Sequence, residues 1–346
     1  MKTILVTGGA GFIGSNFVRY ILDKYPDYRV IVLDILTYAG NTDNLPQDLL
    51  QQADADNPRL SFWYGNVGNA SLVNTLMAES DMVVHFAAES HVTRSIYDNR
   101  IFFETDVMGT QVIANSVLNH ADRIEKFIHI STSEVYGTAE GQVMDEEHAL
   151  KPMSPYASAK AGADRLVYSY WATYDIPATI IRPFNNYGPY QHLEKVVPRF
   201  ITSAILGEPM TVHGQGQASR DWLYVKDHCQ ALDKALHKQG DDLKGEVINL
   251  GSGRSISVLE IAEKIKELTN ASSEIVFVGD RPGQVVRHTS STEKAKRLLD
   301  WSAETSFEDG LRKTIEWYEK NPRWWEKSLW LRQVPIRTAS GKVEYH

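Results

Sequence analysis

Tyr156 and Lys160 stand four residues apart in the stretch SPYASAKAGADRL, a spacing that puts both side chains on one face of a helix. A free tyrosine titrates near ~10 and is a poor base at neutral pH. A neighbouring ammonium stabilises the phenolate, which could then remove a proton from a substrate hydroxyl. On its own the spacing is common by chance and usually marks a solvated helix face.

Gly8-Gly9-Ala10-Gly11-Phe12-Ile13-Gly14 changes that weighting. Its glycines recur at intervals of three, directly after an apolar run and at the opening of a helical pattern. Glycine permits the tight turn and lets the backbone approach a pyrophosphate, whose charge rests on the helix N-terminus. Asp34 ends the next apolar run, about 20 residues beyond Gly14, where a carboxylate would bond an adenosine ribose and repel a 2′-phosphate. The two features together predict a dinucleotide site that takes NAD in preference to NADP. With NAD in place, the positive nicotinamide ring adds to Lys160 in lowering the Tyr156 pKa, and hydride leaves the carbon whose hydroxyl Tyr156 deprotonates.

The elements that must position these residues are short apolar runs separated by helical material. Thr3–Val6, Arg29–Leu33, Leu60–Tyr64, Met82–Phe86, Lys126–Ile130 and Ala178–Ile181 have strand length and are rich in Ile, Val and Phe. Ser15–Lys24 and Val107–Asn119 have helical periodicity. Strands buried on both faces and alternating with helices predict a doubly wound, Rossmann-type α/β domain with a parallel sheet. Beyond about Arg182 the texture changes: Asn185–Tyr190 and His213–Gly216 read as loops. Glu246–Leu250 reads as a further strand, and Ser257–Leu268 as an amphipathic helix capped by Ser257 with Glu260 three residues on. The expected division is an NAD lobe over residues 1–184 plus about 224–252, and a smaller interleaved substrate lobe over 185–223 and 253–325. Residues 326–346 form a tail. Four of the eight tryptophans (Trp317, Trp324, Trp325 and Trp330) crowd the end of the chain, where packing of the tail onto the body is the favoured reading.

The 346 residues carry 36 Lys and Arg against 44 Asp and Glu, a net charge of −8. Such a surface does not attract nucleic acid or an anionic membrane. The N-terminal MKTILVTGG lacks a signal-peptide run and no segment reaches transmembrane length. Cys229, the single cysteine, has no partner for a disulfide, which suits a reducing cytoplasm. Neither it nor the eleven histidines show metal-ligand spacing, so no metal is expected.

A family resemblance rests on these residues. The chain resembles the extended short-chain dehydrogenase/reductases that act on nucleotide sugars, and more closely the dTDP-glucose 4,6-dehydratases. The matching segments are DILTYAGN (34–41), FAAESHVTRSI (86–96), STSEVYG (131–137), SPYASAK (154–160), NNYGPYQ (185–191), EKVVP (194–198), SRDWLYVKDH (219–228) and the DRPG turn (280–283). The resemblance implies an NAD-dependent hydro-lyase that converts a nucleotide diphosphate hexose to its 4-keto-6-deoxy form. Hydride leaves C4, Glu134 removes the C5 proton, water departs from C6, and the hydride returns to C6. It implies catalytic roles for Thr132, Ser133, Glu134, Tyr156 and Lys160. It places Gly8, Gly11, Phe12, Ile13, Gly14, Asp34, Asn66, Val67 and Ala87 at the cofactor. Ser90, Arg94, Asn185, Asn186, Lys195, Val196, Thr211, His213, Arg220, Asn249 and Arg287 fall at the substrate, several of them where the family holds the diphosphate. It also implies a homodimer built on helices near Val107–Asn119 and Tyr156–Tyr174.

Departures from the family pattern bear on the reaction. Ser133 stands where the family has the Asp that protonates the departing C6 hydroxyl; a serine hydroxyl cannot supply a proton as a carboxylic acid can, although it can hydrogen-bond or relay one through water. The resulting Thr-Ser-Glu also resembles GDP-mannose 4,6-dehydratases, which implies that elimination stays feasible with Glu134 working twice, and UDP-glucuronate decarboxylases, where loss of CO₂ follows C4 oxidation. A 4-epimerase or UDP-glucuronate decarboxylase using the same C4 oxidation is therefore the alternative, with Arg94 as a candidate cation for a substrate carboxylate. Thr211, His213 and Gln284-Val285-Val286-Arg287-His288 replace family residues around the base, so the base need not be thymine. Thr93 replaces an Asp, and Asn66-Val67 an Asp-Ile.

Overall fold

The computed structural model describes residues 2–52, 58–279, 285–332, 335–337 and 342–345. The strands in chain order are β1 (Thr3–Thr7), β2 (Arg29–Asp34), β3 (Leu60–Tyr64), β4 (Met82–His85), β5 (Lys126–Ile130), β6 (Ala178–Pro183), β7 (Asn185–Tyr187), β8 (Met210–His213), β9 (Ser219–Tyr224), β10 (Val247–Leu250), β11 (Ser255–Ser257), β12 (Ile275–Val278), β13 (Pro335–Arg337) and β14 (Val343–Tyr345). Seven of them form one sheet in the order β10-β6-β5-β4-β1-β2-β3, and every neighbouring pair in it is parallel. The Rossmann-type fold expected from the sequence is the fold found.

Why these runs are strands follows from where their residues go. Side chains alternate across a strand. Ile4, Val6, Val30 and Val32 enter one apolar cluster, with Phe17 and Ile21 of helix Phe12–Lys24. Leu5, Ile31 and Leu33 enter the other, with Val73, Ile113 and Val167. A sheet covered on both faces needs apolar residues at every position, which is the texture of these segments.

A separate apolar cluster lies outside that sheet and gathers Tyr187, Phe200, Trp222, Ile261, Ile265, Leu311, Tyr318 and Trp325. Around it stand the three-stranded sheet β11-β9-β7 and the pair β12-β8. Asn185–Tyr187, read as a loop, is the strand β7 here, because its backbone pairs in parallel with Trp222–Tyr224. Helix Val258–Thr269 carries the expected capping box: the Ser257 hydroxyl accepts from the Glu260 amide, and the Glu260 carboxylate accepts from the Ser257 amide. The helix expected over Val107–Asn119 starts as a π-helical turn, Phe103–Gly109, and becomes α-helical at Thr110. Such turns are frequent at functional sites. Of the terminal tryptophans, Trp325 is buried and Trp317 and Trp324 are partly buried against the same cluster, whereas Trp330 is exposed. Trp324 also donates from Nε1 to Asn44 Oδ1 at 2.8 Å, tying helix Pro322–Trp325 to the turn Thr42–Asn44.

Candidate active site

The sheet order reverses between β1 and β4, and open α/β sheets bind ligands outside the strand ends at such a switch point. A cavity of about 600 Å³ opens there. All of the expected cofactor positions line it, from Gly8, Gly11, Phe12, Ile13 and Gly14 through Asp34, Asn66, Val67 and Ala87. Thr132, Ser133, Glu134, Tyr156 and Lys160 line it too, as do Ser90, Asn185, Asn186 and Lys195.

The residues present fit a dinucleotide. Gly8 has φ +68°, and a Cβ there would sit 2.6 Å from the Ala87 amide nitrogen; one on Gly14 would collide with the Gly8 carbonyl. The glycines thus keep backbone out of a cradle at the start of helix Phe12–Lys24. That helix has neither a side-chain cap nor an acidic residue in its first turn, so its amides face the cavity with the positive end of the helix dipole. Asp34 is largely buried and accepts from the Ala10 amide at 2.9 Å and the Leu36 amide at 2.8 Å. These bonds fix its carboxylate at the cavity wall and leave lone pairs for a ribose. Asp34→Asn should weaken NAD retention about tenfold or more and narrow the preference for NAD over NADP. Fluorescence titration with both nucleotides reads this, and an unchanged NAD/NADP ratio would remove Asp34 from the role.

Two elements carry the reactive groups. Strand β5 ends at Ile130, and a 3₁₀ turn, Ser133–Tyr136, follows, capped by Thr132, whose Oγ1 accepts from the Glu134 amide at 3.2 Å. Helix Pro155–Tyr174 begins with Ser154 as N-cap, its hydroxyl accepting from the Ala157 amide at 3.1 Å, and with Pro155 in the first turn. Tyr156 and Lys160 follow one turn apart on its buried face. The Lys160 ammonium donates to the Ile130 carbonyl at 2.7 Å, linking helix to strand end. The Thr132 hydroxyl favours ionisation of the Tyr156 phenol.

The electrostatics differ from the expectation. Burial is the main influence on Tyr156 and raises its pKa; the carboxylates of Asp106 and Glu134 push the same way, against the Thr132 hydrogen bond. Burial lowers the Lys160 pKa, with Asp106 and Asp164 opposing. The chain by itself therefore holds Tyr156 protonated. Glu134 faces Arg220, whose Nε lies 3.9 Å from its Oε1.

Other expected substrate residues sit away from the cavity wall. The Arg94 guanidinium stacks over the Tyr38 ring at 4.4 Å, and its Nε reaches the buried Glu194 carboxylate at 3.4 Å. Val196 opens helix Val196–Leu206. Thr211 accepts from Arg199 at 2.8 Å, and His213 Nδ1 pairs with the Gly279 carbonyl at 3.1 Å. Asn249 is fully buried, donating to the Met144 carbonyl at 3.1 Å and accepting from the Tyr136 hydroxyl at 2.8 Å. Arg287 donates to the Gly141 carbonyl. The DRPG turn and Gln284 lie outside the described residues. Sequence reasoning missed Tyr38, Glu89 and His192, which line the cavity, and it named His288 only as a departure. His288 lies behind Ser133, with its Nδ1 3.3 Å from the Ser133 hydroxyl.

Comparison with known proteins agrees with this geometry. The family model of GDP-mannose 4,6 dehydratase matches residues 5–314. The low-salt glycan biosynthesis protein Agl12 of Haloferax volcanii is 48% identical over 91% of this chain and 98% of its own. The dTDP-glucose 4,6-dehydratase of Streptomyces niveus is 42% identical over 93% of this chain and 94% of its own. Among solved structures, DesIV of Streptomyces venezuelae, a dTDP-glucose 4,6-dehydratase with NAD and TYD bound, superposes with a TM-score of 0.87 at 40% identity, covering 94% of this chain and 99% of that one. Fold, cofactor cradle and Tyr–Lys helix thus meet in one family, and the chain belongs to the NAD-dependent nucleotide-sugar 4,6-dehydratases.

Proposed function

We propose that the substrate is a nucleotide diphosphate glucose, with dTDP-glucose the first to test, and that each residue at the cavity has one task. The observation carrying this reading is that Thr132, Glu134, Tyr156 and Lys160 line the same cavity as the glycine cradle. Tyr156 takes the C4 hydroxyl proton, aided by Thr132, while Lys160 holds helix Pro155–Tyr174 against the end of β5. Bound NAD supplies the hydride acceptor and a positive charge beside the phenol. The C4 ketone acidifies the C5 hydrogen, and Glu134 removes it as a carboxylate held beside Arg220. Lys195 and Arg220 give the anionic substrate local positive charge despite the net charge of −8. The relatives named dTDP-glucose 4,6-dehydratase and the TYD-bound neighbour support a thymidine nucleotide. NMR of products from dTDP-glucose, UDP-glucose, UDP-N-acetylglucosamine, CDP-glucose and GDP-mannose tests it; if none yields a 4-keto-6-deoxy sugar while the protein retains NAD, the reading fails.

Two further parts of the proposal concern assembly and place. Phe103, Met108, Tyr168 and Tyr174 are exposed on the neighbouring helical segments Phe103–Gly109 and Pro155–Tyr174, a grouping suited to pairing two copies. Met108→Glu should convert a dimer of the wild-type protein to monomer at micromolar concentration, read by light scattering after size exclusion; an unchanged mass rejects this face. A cytoplasmic location is supported by the buried, free thiol of Cys229. Among the described residues no helix is long and apolar enough to cross a membrane.

A further inference from the structure

Loss of water from C6 needs a proton for the departing oxygen, and where the family pattern has an acid this chain has Ser133, which lines the cavity. Ser133 and His288 are 155 positions apart in the chain, both buried, with Oγ 3.3 Å from Nδ1. The other ring nitrogen, Nε2, lies 2.7 Å from the Gly137 carbonyl oxygen. A carbonyl only accepts, so Nε2 carries a hydrogen in every protonation state. Nδ1 is then the atom that changes. In neutral His288 it accepts, and the Ser133 hydrogen points inward. In the imidazolium it donates to Oγ, and the Ser133 hydrogen is freed toward the cavity that Ser133 lines.

We propose that Ser133 is the proton donor to the leaving C6 oxygen and that His288 is the positioning residue that recharges it. The inference rests on the dehydratase reading of the reaction. As the C6–O bond breaks, its electron pair stays with the oxygen, which takes the Ser133 hydroxyl proton and leaves as water. The His288 Nδ1 proton moves to Ser133 Oγ, and the ring ends neutral. The C5 proton is on Glu134 and returns to C5 as the hydride is delivered to C6. Over the cycle Tyr156 gains the C4 hydroxyl proton and His288 loses one; exchange with cavity water resets both.

The surroundings of His288 couple the two halves of the elimination. Burial lowers its pKa and Arg220 acts in the same direction, whereas Glu134, Asp221 and the Gly137 carbonyl favour the charged ring. Its backbone amide bonds the Ser219 carbonyl in β9, and Phe184 meets the ring edge-on at 6.0 Å. When Glu134 takes the C5 proton it loses its negative charge, so one support of the imidazolium disappears as O6 needs a proton.

The test is His288→Gln, whose amide keeps hydrogen bonds to both neighbours and cannot be protonated. The holoenzyme is run in D₂O with dTDP-glucose, or whichever sugar of the panel it accepts. Product formation should fall about a hundredfold, with KM within about twofold of wild type. Recovered substrate should carry deuterium at C5, because Glu134 still exchanges that proton while elimination stalls. The wild-type rate of elimination should fall as pH rises through the His288 pKa, and the variant should lose that dependence. Ser133→Ala should behave the same way, and Ser133→Asp in the His288→Gln background should regain at least tenfold in product. Equal loss of product and of C5 exchange would make His288 merely structural and overturn the relay, as would wild-type rates in the variant. No water loss from any sugar in the wild type would instead overturn the dehydratase reading, and the relay with it.

Discussion

Tyr156→Phe should lower turnover about a thousandfold, within the range by which a positioned general base accelerates a proton transfer, while NAD stays bound and the fold stays intact. The substitution deletes one oxygen and keeps the ring, which packs edge-on to Phe102 with centroids 6.3 Å apart, so no cavity of consequence is created. What is lost is the Tyr156 hydroxyl at the cavity wall. The buried phenol is held above its ordinary value by desolvation and by the carboxylates of Asp106 and Glu134. The chain alone therefore leaves the phenol protonated and unavailable as a base, and the positive charge of bound NAD would act against the two carboxylates. Activity should accordingly rise with pH through the Tyr156 pKa of the complex, and this limb should vanish in Tyr156→Phe. Product NMR across pH measures the limb, and NAD released on denaturation measures retention. Turnover within about tenfold of wild type would remove Tyr156 from its role as base.

What the sequence showed and what it hid divide along sequence distance. The glycine turn, Asp34 at the end of β2 and the Tyr156–Lys160 spacing are each local patterns, complete within one turn or one β–α unit, so periodicity and residue type were enough. The features that needed the structure are pairings across the chain. Asn185–Tyr187 has loop-like composition and becomes strand β7 only because Trp222–Tyr224 offers it an edge. Arg94 reads as a candidate for a substrate carboxylate, and the carboxylate its Nε reaches, Glu194, lies 100 positions on. Asn249 matched a substrate position, yet its amide is spent on Tyr136 and Met144 in the interior. The Ser133 substitution reads as the loss of an acid, and nothing local to it points to His288, 155 positions on. The Tyr156–Lys160 spacing is local, but the burial and the Asp106 carboxylate that raise the Tyr156 pKa come from segments distant in the chain.

Asp164→Ala should destabilise the protein by about 3–5 kcal/mol, because it strands a buried guanidinium. Asp164 and Arg182 are both buried, joined by Nε–Oδ2 at 2.8 Å and Nη2–Oδ1 at 2.9 Å. The Arg182 Nη1 also donates to the Tyr136 hydroxyl at 2.8 Å. One ion pair thus ties β6 to the helix bearing Tyr156 and Lys160 and to the turn bearing Ser133 and Glu134. Burial works against the Asp164 carboxylate, but the Arg182 hydrogen bonds and charge, with Arg165, overcome it and hold its pKa below the ordinary carboxylate value. A depressed folded-state pKa means that the stabilisation is fully present above the unfolded carboxylate value. It is lost as pH falls through the folded one, so the pair contributes to resistance against mild acid. Urea denaturation at neutral pH and again at low pH tests both statements: the difference between wild type and Asp164→Ala should shrink as the carboxylate protonates. Replacing both partners, Asp164→Leu with Arg182→Met, should regain much of the stability lost in the single variant, since neither charge is then left buried alone. A single-variant loss below about 1 kcal/mol would show that the guanidinium finds water or another partner, and that the pair does not hold the catalytic helix in place.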